Sequence, residues 1–347
     1  MKPVLPPDPA TVLSTLALGA AGAGVAYGLG VPAPFLTGPA ALVSAASVTG
    51  LVTRVPLALR DGCFLVIGLS MGTGINPGVL AAAASWPASL VALALALLVI
   101  FLGGAGALRR WIGFDLVTAR LAAAPGHLSY VLSLSTETRA DIATLSVVQT
   151  LRVLTLTLLV PLVVALMTDA DLTMTARPGA PMALWHLAGL TLLAAGIGAV
   201  LKRRNVPAAF LLGGMLVSSV SHGTGVTPGI VPDWAAIPSF TIMGTLIGTR
   251  FSGVTAGMIA RALGAALILS ALALLATVTA ALAMHAVLDL PMTTLLIAYA
   301  PGGLETMAAI SVMLEADPAF VAFHHAFRLF LLTFLVPAFL PRTEPET

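Results

Sequence analysis

Two arginines, Arg152 and Arg328, stand inside apolar stretches that could otherwise cross a bilayer. Each follows a Pro-Gly pair, Pro125-Gly126 or Pro301-Gly302, with 27 residues from proline to arginine in both cases. A guanidinium at the bilayer centre costs roughly 2.5–3.5 kcal/mol on insertion scales, so each must face the protein interior. Its partner there would be a carboxylate, a helix C-terminus or an anionic substrate. Proline removes a backbone donor and glycine frees the chain from helical geometry. Broken backbone at membrane depth is tolerated only when it is buried in protein or lines a wet cavity. Its freed amides suit an anion and its freed carbonyls a cation. Polar side chains crowd the breaks: His127, Ser129 and Tyr130 after the first, Glu305 and Thr306 after Gly303 in the second. Glu305 is either a proton or cation site near mid-membrane or a carboxylate facing water at the segment's mouth.

Asp141 and Asp317 lie 11 residues before the arginines. That is close to three helical turns, so each Asp shares a face with its Arg at about 16 Å and cannot pair with it. At a helix start, each acts as an N-terminal capping acid. His324 falls on the face of Asp317 and Arg328, and His324-His325 could hold a proton at physiological pH, whereas the first half has Val148-Gln149 there. The candidates for substrate or ion binding are therefore Pro125, Gly126, His127, Ser129, Arg152, Pro301, Gly302, Gly303, Glu305, Asp317, His324 and Arg328. Six histidines and the single Cys63 show no metal-ligand spacing, so neither a catalytic set, a metal nor a cofactor is expected.

The elements that must position these residues come in two copies. Ala124-Pro125-Gly126 returns at Ala300-Pro301-Gly302, and 14 of the 38 positions from 124 to 161 match those from 300 to 337. Val31-Pro32-Ala33 resembles Val206-Pro207-Ala208, and Gly68-x-x-x-Gly72 lines up with Gly244-x-x-x-Gly248, small-residue faces that allow close helix packing. The repeats are 1–168 and 182–347, joined by a weakly polar linker at 169–181.

With 59% hydrophobic and 9% charged residues, the 347-residue chain is not a soluble one. Apolar stretches near 10–30, 87–108, 141–168, 182–201, 262–287 and 319–340 are each long enough to span a hydrocarbon core of about 30 Å. The first lacks a strongly basic leader and reads as a membrane helix rather than a signal peptide. Basic residues are scattered at helix ends and do not suggest nucleic-acid binding. All but Arg177 of those between stretches can lie on one side, which the positive-inside rule makes cytoplasmic. Lys202-Arg203-Arg204 has no basic counterpart near Gly28-Leu29-Gly30, and Arg54 and Arg60 have none near Asp233, so equivalent loops face opposite sides. Each half then crosses an odd number of times. The expectation is an all-α integral membrane protein of about ten transmembrane helices in two inverted-topology repeats. Each repeat has one broken or re-entrant segment, near 114–138 and 291–316. Both termini lie in the cytoplasm, the four tryptophans fall at helix ends, and a homodimer through the small-residue faces is compatible with this arrangement.

The run Pro301-Gly302-Gly303-Leu304-Glu305-Thr306-Met307-Ala308, followed by Ala316-Asp317, His324-His325 and Arg328, resembles the AbrB family of duplicated membrane proteins, and the likeness covers nearly the whole chain. It is not the small soluble DNA-binding AbrB of bacilli. The resemblance implies about ten membrane helices and a bacterial inner-membrane location. Its function labels are divided among regulator of gene expression, ammonia monooxygenase and transporter. More distantly, the family is similar to the cation–proton antiporter and anion transporter superfamily, which implies that 125–129 and 301–305 are substrate-facing tips. His127 stands where the second half has Gly303, so the tips differ. The expected function is secondary transport of a small solute or ion by alternating access, in which the Pro-Gly segments and arginine helices move against a scaffold. Proton coupling would run through Glu305 or His324. The alternative is a membrane-embedded regulator acting through a partner or signal solute. A monooxygenase would need copper or iron ligands that the sequence does not offer.

Overall fold

A computed structural model describes residues 8–73, 86–125, 131, 134–135, 138, 140–168, 179–204, 206 and 208–340. Among the described residues six helices are long and apolar enough to cross a membrane: α1 (Pro9–Gly28), α4 (Trp86–Ile112), α6 (Ile142–Met167), α7 (Leu184–Arg203), α10 (Ala256–Leu288) and α13 (Pro318–Phe339). They fall on the six apolar stretches of the sequence. Four helices of 15 to 17 residues complete the long elements: α2 (Pro34–Val48), α3 (Leu57–Gly72), α8 (Ala209–Gly223) and α9 (Asp233–Thr249). Among the described residues three short ones follow, α5 (Leu116–Ala123), α11 (Met292–Tyr299) and α12 (Leu304–Met313). Among the described residues the only β contact is an isolated bridge between Pro181 and Ile230.

Local chemistry explains many of the boundaries. Asp115, Asp141 and Asp317 each accept the second and third amides of the helix they start, and Thr255 accepts from Met258. These bonds satisfy donors that a helix start leaves open. The helices α2 and α8 both begin from an alanine in the left-handed region, Ala33 (φ 50°) and Ala208 (φ 51°). Trp111, Trp185 and Trp234 sit at helix ends and are largely exposed, as interfacial anchors are.

The helices form two groups. Helices α1, α2, α3, α7, α8 and α9 pack together, with α3 on α8, α1 on α2 and α2 on α9 as the most extensive contacts. Helices α4, α5, α6, α10, α11, α12 and α13 form the second group, and α12 rests on α3 and α9 of the first. Glycine makes the tight crossings. A Cβ at Gly68 would strike the Leu211 carbonyl, and one at Gly244 would strike the Leu36 carbonyl. The small-residue faces are thus occupied within the chain, each joining one half to the other.

The segment holding α11 and α12 is a hairpin. The Asp317 amide, at the start of α13, donates to Thr294 Oγ1 in the first turn of α11 at 3.1 Å. The chain leaves and returns to one place, with Ala300-Pro301-Gly302-Gly303 at the bend.

Gly68→Ala is expected to lower the apparent melting temperature of the detergent-purified protein. Overpacking against a backbone costs about 1–3 kcal/mol. Gly62 lies on the same helix, and a Cβ added there would meet no other atom within 4 Å. Gly62→Ala is therefore expected to be neutral or slightly stabilising, and thermal unfolding of the two variants side by side checks both.

Candidate functional site

Both arginines are wholly buried, and both hold the end of a short helix. Arg328, on α13, donates from Nη1 to the Ala300 carbonyl at 2.8 Å and from Nη2 to the Gly302 carbonyl. Arg152, on α6, donates to the Ala122 and Ala124 carbonyls at 3.2 and 3.0 Å, and to Gln149 Oε1. Of the three partners open to these arginines, the helix C-terminus is the one found. Each charge-assisted bond contributes about 1.5–3 kcal/mol. Two of them match or exceed the insertion cost of roughly 2.5–3.5 kcal/mol.

A second side chain completes each clamp one turn earlier. Gln149 Nε2 reaches the Leu121, Ala122 and Ala124 carbonyls at 3.0 to 3.3 Å. His325 Nε2 reaches the Ile297 carbonyl at 3.1 Å. Gln149 and His325 are 176 positions apart, as are Leu121 and Ile297, Ala124 and Ala300, and Arg152 and Arg328. The sequence difference between amide and imidazole therefore conceals a shared task. Thr277 on α10 takes the Tyr299 carbonyl at 3.3 Å, so the freed carbonyls of α11 are met from two helices.

His324 turns elsewhere. Its Nδ1 faces the Phe320 carbonyl at 2.8 Å, which requires Nδ1–H. In the neutral ring Nε2 then accepts from Ser89 Oγ at 2.8 Å, and Tyr299 Oη lies 2.7 Å from that hydroxyl. Phe320 stacks on the ring at 3.8 Å, and Trp86, the first residue of α4, meets it edge-on at 6.4 Å. This chain ties α4, α11 and α13 together beside the bend. On α13 it is His325, three residues before Arg328, that shares the arginine's target.

The other candidates are placed as follows. Pro125 is buried directly after α5, while Gly126, His127 and Ser129 lie outside the described residues. Pro301 and Gly302 form the buried bend, and a Cβ on Gly302 would collide with Met307. Gly303 starts α12, and Glu305 in its first turn is half-buried. Asp317 is committed to capping α13. Ser89, Gln149 and Tyr299 join the site without standing among the sequence candidates, and His325, named in sequence only as a proton holder, joins it as a carbonyl donor. A long donor side chain at the same offset in both halves was the signal for Gln149 and His325.

Residues 35–343 match the family described as transition state regulatory protein AbrB. The chain belongs to the AbrB family. It is 32% identical over 325 residues to "Uncharacterized protein YhjN" of Bacillus subtilis (strain 168), covering 87% of this chain and 82% of that one. It is 25% identical over 312 residues to "Putative regulator AbrB" of Escherichia coli (strain K12), covering 89% of each. No solved structure gives a significant match.

If Gln149 and His325 do one job, an amide should serve in the second half. His325→Gln is expected to keep nearly wild-type thermal stability, and His325→Leu to lose about 1–3 kcal/mol by stranding the Ile297 carbonyl. Equal losses in both variants would contradict the shared role. At the start of α6, the Thr144 hydroxyl and the amides of Thr144 and Ala143 hold the Asp141 carboxyl below its usual range. A lowered carboxyl stabilises the fold above its ordinary pKa, and that contribution is lost as pH falls through the folded value. The stability gap between wild type and Asp141→Ala is therefore expected to be full near neutrality and to close on acidification, as a pH series of melting curves would show.

Proposed function

We propose that this AbrB-family protein is a secondary transporter that moves a small solute by alternating access. The observation that carries the reading is the pair of broken segments, each ending in carbonyls held by a buried arginine clamp. Backbone freed from helical bonding inside an apolar interior is the material of transporter binding sites. The six long spans with α2, α3, α8 and α9 make ten crossings, five in each half. The hairpin of α11 and α12 supplies a re-entrant segment, since eight residues of α11 reach only about 12 Å into the bilayer.

Several contacts support inverted repeats. Ser47 Oγ donates to the Gly248 carbonyl and the Thr53 amide to Ser252 Oγ, so the end of α9 lies beside the chain that starts α3. The equivalent helices α3 and α9 thus run in opposite directions. Lys202 at the end of α7 pairs with Asp61 at 2.7 Å near the start of α3, beside Arg60. These basic residues share one face, which positive-inside reasoning makes cytoplasmic. On this reading both termini are cytoplasmic, the membrane is the bacterial inner membrane, and α4–α6 with α10–α13 move against the remaining helices. The name of the Escherichia coli relative, putative regulator AbrB, favours a second reading, regulation of gene expression, which flux of a signalling solute would also produce.

Alternating access can be tested without knowing the solute. In a Cys63→Ala background, Gly303→Cys is expected to react with an impermeant maleimide in right-side-out and in inverted membrane vesicles alike. Labelling confined to one orientation would sink the proposal.

A further inference from the structure

His222 stands in the last turn of α8, in the first helix group, and its ring is set between two carbonyls. Nδ1 lies 2.8 Å from the Ser218 carbonyl, and Nε2 lies 3.0 Å from the Gly229 carbonyl. The Ser218 hydroxyl is 3.2 Å from Nδ1, but it gives its own proton to the Leu69 carbonyl at 2.7 Å. Toward the ring it can only accept. All three groups therefore ask the ring for a proton. A neutral imidazole carries one N–H and would turn a lone pair on one of the carbonyls, whereas the imidazolium donates from both nitrogens. Among the described histidines no other sets a carbonyl against each nitrogen.

The surroundings suit a cation. Open carbonyls at the end of a helix carry partial negative charge, which favours a positive side chain in the last turn. Helices α3 and α7 pack on α8. The titratable groups of α3, Arg60, Asp61 and Cys63, lie in its first half, and Lys202 and Arg203 end α7 at the other face. At the same end as His222 are His186, in the first turn of α7, and Asp233, which begins α9. The loop 223–232 and the segment 74–85 carry no titratable residue. Asp169, Asp171 and Arg177 of the linker lie outside the described residues.

The Gly229 carbonyl belongs to the place where the two halves are joined. Next to it, the Ile230 amide donates to the Ala180 carbonyl at 3.0 Å, and the Met182 amide to the Ile230 carbonyl at 2.8 Å. Gly229 is pressed on that strand, since a Cβ there would stand 2.8 Å from the Ala180 oxygen. We infer that His222 is a proton-binding site whose imidazolium clasps the loop 223–232, and through Ile230 the linker between the halves, to the end of α8. Without the proton, Nδ1–H stays on its two acceptors and the Nε2 lone pair meets the Gly229 oxygen, so an attraction becomes a repulsion. Only the charged ring makes the clasp, so its contribution to stability is present at low pH and is lost as pH rises. Histidine changes charge between about pH 5 and 8, which places the release in the physiological range.

The test follows the melting temperature of the full chain in detergent from about pH 5.5 to about pH 8.5, a range that spans histidine titration. Wild type runs beside His222→Gln, whose amide cannot ionise. At the acid end the wild type is expected to melt about 2–4 °C above the variant. That gap is expected to close or reverse at the alkaline end. It is expected to persist in His186→Gln and Asp233→Asn backgrounds, which remove the titratable groups at the same end. No gap, a gap of one size at every pH, a gap that widens as pH rises, or its disappearance in either background would overturn the inference. If His222→Gln does not fold, diethyl pyrocarbonate on the wild type decides, because this reagent acylates only the lone pair of a neutral ring. Peptide mapping is expected to show modification of His222, relative to the exposed His285, rising several-fold from the acid to the alkaline end. A constant ratio, or an unmodified His222 at both ends, would overturn it.

Discussion

A carbonyl cut loose from a helix inside an apolar interior has to find a donor, and the second helix group is organised around that requirement. The Pro-Gly bend frees the carbonyls of Ile297, Tyr299, Ala300 and Gly302, and His325, Thr277 and Arg328 take them. Unpaired, each would cost several kcal/mol in a medium without water. The same bonds solve the arginine's own problem, because a buried guanidinium needs acceptors as much as the carbonyls need donors. Neither the break nor the charge is tolerable alone. Together they fix which helices must be neighbours: α6 beside α5, and α13 beside α11.

The first helix group follows a different rule, close approach through glycine. At Gly68 and Gly244 one half's helix touches the other half's backbone, at Leu211 and Leu36. Such contacts depend on dispersion over short distances and tolerate little sliding. They bind the halves into one interleaved body, so a rigid motion between repeats taken as units would tear these crossings apart. The boundary between the helix groups is made by α12 on α3 and α9, α6 on α2 and α9, and α13 on α3. Motion across that boundary keeps both the glycine crossings and the arginine clamps intact.

Residues with a purely local effect were legible in the sequence. Asp141 and Asp317 cap the helices they precede, the six long apolar stretches are helices, and Gly68 and Gly244 mark tight crossings, because each follows from residue type and short-range spacing. The four helices of 15 to 17 residues are harder to read, since they fall short of the roughly 20 that a bilayer requires. What the arginines hold depends on long-range pairing, which spacing leaves open among three partners. The Ser89–His324–Tyr299 chain joins residues over 200 positions apart and carries no pattern that one helix could reveal. Comparing halves by residue identity hid the match of Gln149 with His325, because hydrogen-bond donors of different chemistry can reach the same carbonyl.

That mismatch also makes the halves chemically unequal. The first clamp pairs a fixed charge with an amide that cannot ionise. In the second, His325 spends Nε2–H on the Ile297 carbonyl while its Nδ1 is buried without a partner. An imidazole can hold a second proton where an amide cannot. A proton there would add positive charge beside Arg328 and weaken that clamp by repulsion unless an anion were present. Two clamps of the same geometry thus differ in how they respond to charge, and under the proposed alternating access a group built from them need not favour the two sides of the membrane equally.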